Sequence, residues 1–153
     1  MAELVDRVAI VTGGSRGIGR ATSLVLARQG ATVIACARNP EKLGTLSAEA
    51  SDQRCLGKII TRPFDVTESA KTEKWVDDLA TEFGRVDILV NNAGITRDGL
   101  IMNMSDEQFD DVIGTNLRSV FQLTRAVAKH MVRARWGRIV ILTSISGTKC
   151  NPG

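Results

Sequence analysis

Ser144 and Ser146 stand just beyond the apolar run Ile139-Val140-Ile141-Leu142. A neutral hydroxyl fixed at the tip of a buried strand can hydrogen-bond a carbonyl oxygen as negative charge builds on it. A reaction of that kind also needs a group that delivers a proton. The choice is narrow: the chain contains no tyrosine, and its one histidine, His130, falls inside a helical segment. Lys149 is expected to be a charged, solvated loop residue, and Cys150 carries no stronger signal. A second chemical feature is "VTGGSRGIGR", residues 11–20, which follows an apolar β-branched run and opens a helix. Gly17 and Gly19 leave no Cβ near that turn, so backbone can approach a pyrophosphate and the helix can pack close to the sheet. The first amides of the helix then face the anion. The third feature is "ACARNP" at the end of the second strand. Where a carboxylate would bind a ribose 2′-hydroxyl stands Ala37, and Arg38 follows it. Nothing there repels a 2′-phosphate, a guanidinium can hold one bidentately, and Arg16 in the glycine-rich turn supplies a second cation. The pattern points to a dinucleotide site that takes NADP(H) in preference to NAD(H).

These side chains need a scaffold, and the hydrophobic pattern supplies one. Val8-Ala9-Ile10-Val11 reads as a buried strand. A helix follows to about Gln29, where Gly30 suits its C-terminal stop. Thr32 to Cys36 reads as a second strand. Asn39 as N-cap and Pro40 at the first helical position then open a helix through Leu43 and Leu46. A third strand begins at Lys58-Ile59-Ile60 and ends near Phe64. Thr67 is expected to cap the next helix, whose apolar residues Val76, Leu79, Ala80 and Phe83 recur at helical spacing. Ile88-Leu89-Val90 is the fourth strand. Ser105 to Gln108 has the capping-box pattern, with Met104 and Phe109 placed to staple across it. A long helix runs from there to about Arg135, bent near Gly114 and ended by Gly137, before a fifth strand from Ile139 to Leu142. Strand–helix alternation with continuously apolar strands implies a parallel sheet covered on both faces. Right-handed crossovers favour a doubly wound α/β arrangement in three layers, α/β/α.

The size, 153 residues, suits one domain over 1–153. Hydrophobic residues at 43% and charged residues at 24% are ordinary for a soluble globular chain. No apolar run approaches the ~20 residues a membrane helix needs, which argues against a membrane partner. The start, "MAELVDRVAIVTGG", lacks the basic opening and cleavage site of a secretory signal. A formal net charge of +3 spread over scattered basic residues gives no support to a nucleic-acid partner. Cys36, Cys55 and Cys150 are odd in number and far apart, with no metal-ligand spacing, so reduced thiols in a cytoplasmic protein without a metal are expected.

With "TGGSRGIG", "NNAG", "TNL" and the strand leading into "TSISG" in place, the sequence resembles the short-chain dehydrogenase/reductase family from Val8 to its last residue. The resemblance implies a Rossmann fold and an NADP(H)-dependent oxidoreductase. Gly13, Gly17 and Gly19, with Ser15, Arg16 and Ile18 between them, match the cofactor turn. Asp65 and Val66 match a pair that contacts the adenine. Asn91, Ala93 and Gly94 match the strand-four motif beside the adenine ribose and the central sheet. Asn116 matches an asparagine that holds a water in a proton relay. Ser144 matches the catalytic serine, since Gly147 falls three places later, and Ser146 is the second candidate. Arg135 matches a basic residue that docks an acidic carrier protein.

The stretch "NNAGITRDGLIMNMSDEQFDDVIGTNL" is most similar to the bacterial 3-oxoacyl-[acyl-carrier-protein] reductases. That implies NADPH-dependent reduction of a 3-oxoacyl group on acyl carrier protein to the 3-hydroxyacyl form in fatty acid synthesis, by a homotetramer. A related reductase of a ketone, quinone, steroid or sugar, or a catalytically silent dinucleotide-binding module, stays open. In the family the proton comes from a tyrosine about thirteen residues after the serine, with a lysine about four further on that lowers its pKa. Both positions fall past Gly153. The C-terminal strands and this pair are therefore expected to belong to a longer chain, leaving the fifth strand exposed at the sheet edge and the 153 residues inactive alone.

Overall fold

The computed structural model describes residues 3–145. Five strands, β1 (Val8–Thr12), β2 (Thr32–Ala37), β3 (Lys58–Pro63), β4 (Ile88–Asn91) and β5 (Arg138–Ile141), form one sheet. All pairings are parallel, in the order β3-β2-β1-β4-β5. Five helices lie between them: α1 (Gly17–Arg28), α2 (Pro40–Asp52), α3 (Ser69–Phe83), α4 (Asp106–Ile113) and α5 (Ser119–Ala134). The chain moves outward from β1 to β3, then returns to the other side of β1 to place β4. Strand order therefore reverses between β1 and β4, and this is the point where open parallel sheets form a ligand crevice.

The strands divide their side chains by the two-residue period of the pleat. Ile10, Ile34 and Leu89, level with one another across the sheet, pack with Val76 and Leu79 of α3 and Leu123 and Val127 of α5. Ala9, Val11, Val33, Ala35 and Val90 face the opposite way, against Leu24 and Ala27 of α1 and Leu43 and Leu46 of α2. The doubly wound, three-layer arrangement follows from two apolar faces that each need a cover. Fully burying each large aliphatic side chain contributes about 1.5–3 kcal/mol.

Local details depart from the sequence expectations for identifiable reasons. Thr67 does not cap α3. Its N–H and hydroxyl both donate to Asp65 Oδ1, at 2.9 and 2.8 Å, and Glu68 precedes the helix without a side-chain cap. The long C-terminal helix is interrupted: Gly114–Arg118 form a π-helical turn between α4 and α5. Ser105 does close its capping box with Gln108. Gly137 is not the stop of α5. Arg135 takes the left-handed conformation there, with φ 50, and Gly137 is needed because a Cβ would lie 2.5 Å from Met131 Sδ. Gly30, at φ 99, ends α1 as expected, in a double-bonded motif in which Gly30 N–H reaches Ala27 O and Ala31 N–H reaches Leu26 O.

The fifth strand begins at Arg138 and ends at Ile141, with Leu142 N–H continuing the ladder to Asn91 O. With β3 it is one of the two sheet edges among the described residues, and Ile139, Val140 and Ile141 are 39%, 47% and 49% exposed.

Candidate cofactor-binding site

The C-terminal ends of the strands open onto a crevice of about 400 Å³. Four strand-to-helix junctions line it: Gly13 and Ser15 to Ile18 after β1, Arg38 and Asn39 with Lys42 of α2 after β2, Phe64 to Val66 after β3, and Asn92 to Ile95 after β4. Thr115 of the π-helical turn completes the wall. Of the residues singled out in the sequence, the crevice gathers Gly13, Ser15, Arg16, Gly17, Ile18, Arg38, Asp65, Val66, Ala93 and Gly94. Gly19, Asn91, Asn116 and Ser144 do not line it.

The glycines of the first turn do different jobs. Gly13 and Gly17 sit at φ 66 and 54, where other residues are strained. A Cβ on Gly17 would meet nothing within 4 Å, so the backbone there faces open space at the start of α1. A Cβ on Gly19 would lie 2.4 Å from both the Gly13 carbonyl oxygen and Asn92 Nδ2. Gly17 thus leaves room for a group to approach, whereas Gly19 lets the helix pack on the turn. An approaching phosphate would meet free N–H groups of α1 and its favourable dipole end. The turn therefore has the cradle that a dinucleotide pyrophosphate requires.

Two residues that sequence reasoning missed hold this turn in place. The Thr12 hydroxyl donates to Val90 O at 3.3 Å and accepts from Asn92 N–H at 3.0 Å and Ala93 N–H at 2.9 Å. Asn92 Nδ2 returns hydrogen bonds to Thr12 O at 2.8 Å and Gly13 O at 3.2 Å. A threonine ending one strand and an asparagine doublet ending its neighbour were the available signals. They became a lock only once β1 and β4 were adjacent.

Asn91, expected beside the adenine ribose and the central sheet, lies in the sheet and does not line the crevice. It is the last residue of β4, its Nδ2 donates to Thr124 Oγ1 of α5 at 3.3 Å, and its Oδ1 is buried without a partner among the described residues. The pleat decides this: Asn91 points to the face of Leu89, and Asn92, one residue on, serves the crevice. Asn116 has both ends of its amide engaged with one backbone unit. Oδ1 accepts from Ile95 N–H and Nδ2 donates to Ile95 O, each at 2.9 Å. This ties the π-helical turn to the strand-four loop. Ser144 lies exposed on the segment after β5, at the same end of the sheet as the crevice. Ser146, Gly147, Lys149 and Cys150 lie outside the described residues.

The rim of the crevice is electropositive. Ala37 closes β2 with a methyl group where an acid would discriminate against a phosphorylated ribose. Among the described residues Arg16, Arg38 and Lys42 make no ion pair. The one carboxylate in the wall, Asp65, is occupied by Thr67. Cys36, at the end of β2, is fully buried, and burial pushes its thiol up to about 12. It stays protonated at neutral pH and offers no nucleophile. Among the described residues no cluster of three or more His, Cys, Asp or Glu could hold a metal ion, and no helix is long and apolar enough to cross a membrane.

A doubly wound sheet with a glycine-rich turn at its switch point defines a nucleotide-binding oxidoreductase scaffold. Residues 7–153 match the short chain dehydrogenase family, and the chain belongs to it. It is 46% identical over 147 residues to the 3-oxoacyl-[acyl-carrier-protein] reductase FabG of Escherichia coli, covering 96% of this chain and 58% of that protein. It is 41% identical over 150 residues to the protein of the same name from Thermotoga maritima, covering 98% of this chain and 60% of that one. The chain therefore spans about 60% of the length of these relatives. Among solved structures, a metagenomic short-chain oxidoreductase in complex with NADP superposes with a TM-score of 0.90 at 34% identity, covering 98% of this chain and 66% of that one. A second, a short-chain alcohol dehydrogenase candidate from Sinorhizobium meliloti, gives a TM-score of 0.89 at 32% identity, covering 97% of this chain and 58% of that one.

Proposed function

We propose that these residues form the cofactor-binding domain, 1–153, of a cytoplasmic NADPH-dependent reductase of 3-oxoacyl groups carried on acyl carrier protein. The observation that carries the cofactor assignment is the crevice rim, where Ala37 replaces an acid and Arg16 and Arg38 have no carboxylate partner. The name shared by the similar relatives, and the NADP in the similar solved structure, support the substrate and cofactor.

The geometry supports a division of labour. Gly17 lets backbone approach the pyrophosphate, Gly13 lets the turn pack on Asn92 and Ala93, Arg16 and Arg38 face the ribose phosphate, and Asp65 and Val66 wall the adenine. When bound, NADPH supplies the hydride. Ser144 donates a hydrogen bond to the substrate carbonyl, where negative charge develops. Asn116 holds Ile95 and thereby the loop beside the nicotinamide end. The Asn116 amide keeps a second N–H and a second oxygen lone pair beyond its two bonds to Ile95, which a relay water would use.

No residue of the chain is a tyrosine, so the proton donor of the family has no counterpart in these 153 residues. Reduction is accordingly assigned to the protein that carries the family's further length, and the chain by itself is expected to bind without turnover. Arg135, exposed at the left-handed end of α5, is the proposed docking residue for the acidic carrier protein. The tetramer is proposed to form through the outer face of α5, where Phe121 and Val132 are exposed.

Titration of the 153-residue chain with NADPH and NADH tests the assignment. Binding of NADPH at least tenfold tighter than NADH is expected, and no oxidation of NADPH when a 3-oxoacyl thioester is added. Equal affinities would overturn the cofactor assignment, and turnover would overturn the division of labour.

A further inference from the structure

We infer that Lys42 is the third cation of a phosphate clamp at the crevice rim and sets the preference for a phosphorylated ribose, an inference that rests on the dinucleotide assignment above. Neither the glycine-rich turn nor the end of β2 contains this residue. It reaches the site from the first turn of α2, four positions after Arg38, and lines the same wall.

Its position is built by two neighbours. Asn39 Oδ1 accepts from Glu41 N–H at 2.8 Å and Lys42 N–H at 3.3 Å, which fixes the first turn of α2 at the mouth of the crevice. Lys42, Thr45 and Glu49 then share one helix face by their three- and four-residue spacing. That face meets α1. Arg20 donates to Thr45 Oγ1 at 3.0 Å and pairs with Glu49. Arg20 stands one turn beyond Arg16, whose carbonyl accepts its N–H at 3.3 Å. The two facing helix surfaces thus carry a neutralised Arg20–Glu49 pair inside and two uncompensated cations, Arg16 and Lys42, at the open end.

Glu49 makes no ion pair with Lys42. One of its oxygens takes Arg20 and the other accepts from Gln53 Nε2 at 2.9 Å. Other surface cations are divided: some meet acids, as in Arg62–Glu82, Lys74–Asp78 and Arg97–Asp111, and some, such as Arg54 and Arg133, make no ion pair among the described residues, but only Arg16, Arg38 and Lys42 line one crevice. Bringing like charges to one rim costs Coulomb energy unless an anion occupies the space between them. A phosphate dianion at the ribose 2′ position is such an anion. Arg38 offers a planar fork to it, whereas Lys42 adds a compact charge on a flexible stem from the first turn of α2.

The test uses the full 153-residue chain and calorimetric titration with NADPH and with NADH. Lys42→Ala is expected to weaken NADPH roughly tenfold, the loss of one charge-assisted hydrogen bond. NADH should stay within about twofold, and Lys42→Arg should recover most of the NADPH affinity. The NADPH affinity of the wild type should also fall more steeply with salt than that of Lys42→Ala. Equal effects of Lys42→Ala on both cofactors, or none on either, would overturn the role of Lys42. Arg38→Asp is measured in parallel. If it shifts the NADPH-to-NADH ratio while Lys42→Ala does not, Lys42 is refuted and the dinucleotide assignment stands. A wild-type chain that binds neither cofactor overturns both.

Discussion

The two ends of the central sheet treat charge in opposite ways. At the C-terminal end of the strands, Arg16, Arg38 and Lys42 surround a crevice with no acidic partner among the described residues. At the N-terminal end, Asp87 just before β4 is 1% exposed at its side chain and fully engaged. It accepts from Arg85 Nε at 2.6 Å, from a terminal nitrogen of Arg85 at 2.7 Å, from Arg7 at 3.1 Å and from Val8 N–H at 2.9 Å. Arg7 in turn covers the Trp136 ring at 3.8 Å, and Arg138 lies over the same ring at 5.0 Å. The closed end joins the starts of β1, β4 and β5 and satisfies every charge on Asp87. The open end leaves its charges uncompensated. The difference separates a region whose charges are satisfied within the fold from the one proposed to bind an anion.

Removing the closed end should have the largest effect. Asp87→Ala leaves two arginines facing a buried gap and is expected to cost on the order of 3 kcal/mol of unfolding free energy, read by urea denaturation. The same group sets an acid limit. Burial pushes the Asp87 carboxyl upward, but hydrogen bonds from Arg85, Val8 N–H and Arg7 outweigh that push and hold it below its ordinary value. The unfolded chain, with Asp near ~3.9, therefore binds more protons than the native chain in the window below that value. The contribution of Asp87 is complete above ~4 and is lost as pH falls through the lowered native value. Asp87→Ala should flatten this acid limb of stability, and an unchanged slope would contradict the clasp.

At the open end, Gly19→Ala should cost about 1–3 kcal/mol, because its Cβ would lie 2.4 Å from the Gly13 carbonyl. Dinucleotide binding should be lost with it. Gly17→Ala meets no atom and should show only the backbone strain of its positive φ, about 1–2 kcal/mol. Equal stability losses with equal binding losses would blur the two roles assigned here. Arg38→Asp should change no more than a few tenths of a kcal/mol of stability yet lower the NADPH-to-NADH preference at least tenfold, the reverse of the Asp87 pattern. The smallest effect is expected for Asn116→Ala. Two exposed hydrogen bonds to Ile95 disappear, for about 1 kcal/mol, and amide exchange at Ile95 should accelerate while that at β1 stays unchanged.

Much of this was legible in residue order. Runs such as Val8 to Val11 and Thr32 to Cys36 declare strands by their apolar, β-branched content, and "GGSRGIG" between strand and helix declares a phosphate turn. Ala37 followed by Arg38 carries the proposed cofactor preference, because that position follows the strand directly. The capping box at Ser105 was equally local. What escaped the sequence depended on contacts between distant residues or on the phase of the pleat. Asn91 and Asn92 are indistinguishable by type, and only the register of β4 decides which one serves the crevice. Arg135 ends α5 although Gly137 looks the better stop, because Gly137 is required under Met131. Thr67 looks like a cap, yet Asp65 claims both of its donors.

The order of residues alone determined the alternation of strands and helices, the glycine-rich anion turn and the basic rim that follows the second strand. Those features are encoded within a few neighbouring positions, where steric limits on φ and ψ and hydrophobic periodicity act directly. Tertiary structure alone decided the Thr12–Asn92 lock, the Asp87 clasp and the placing of Lys42 and Arg16 in one crevice wall. Each joins elements that become neighbours only when the strand order reverses beside β1 or when α2 docks on α1, and no local propensity carries that information.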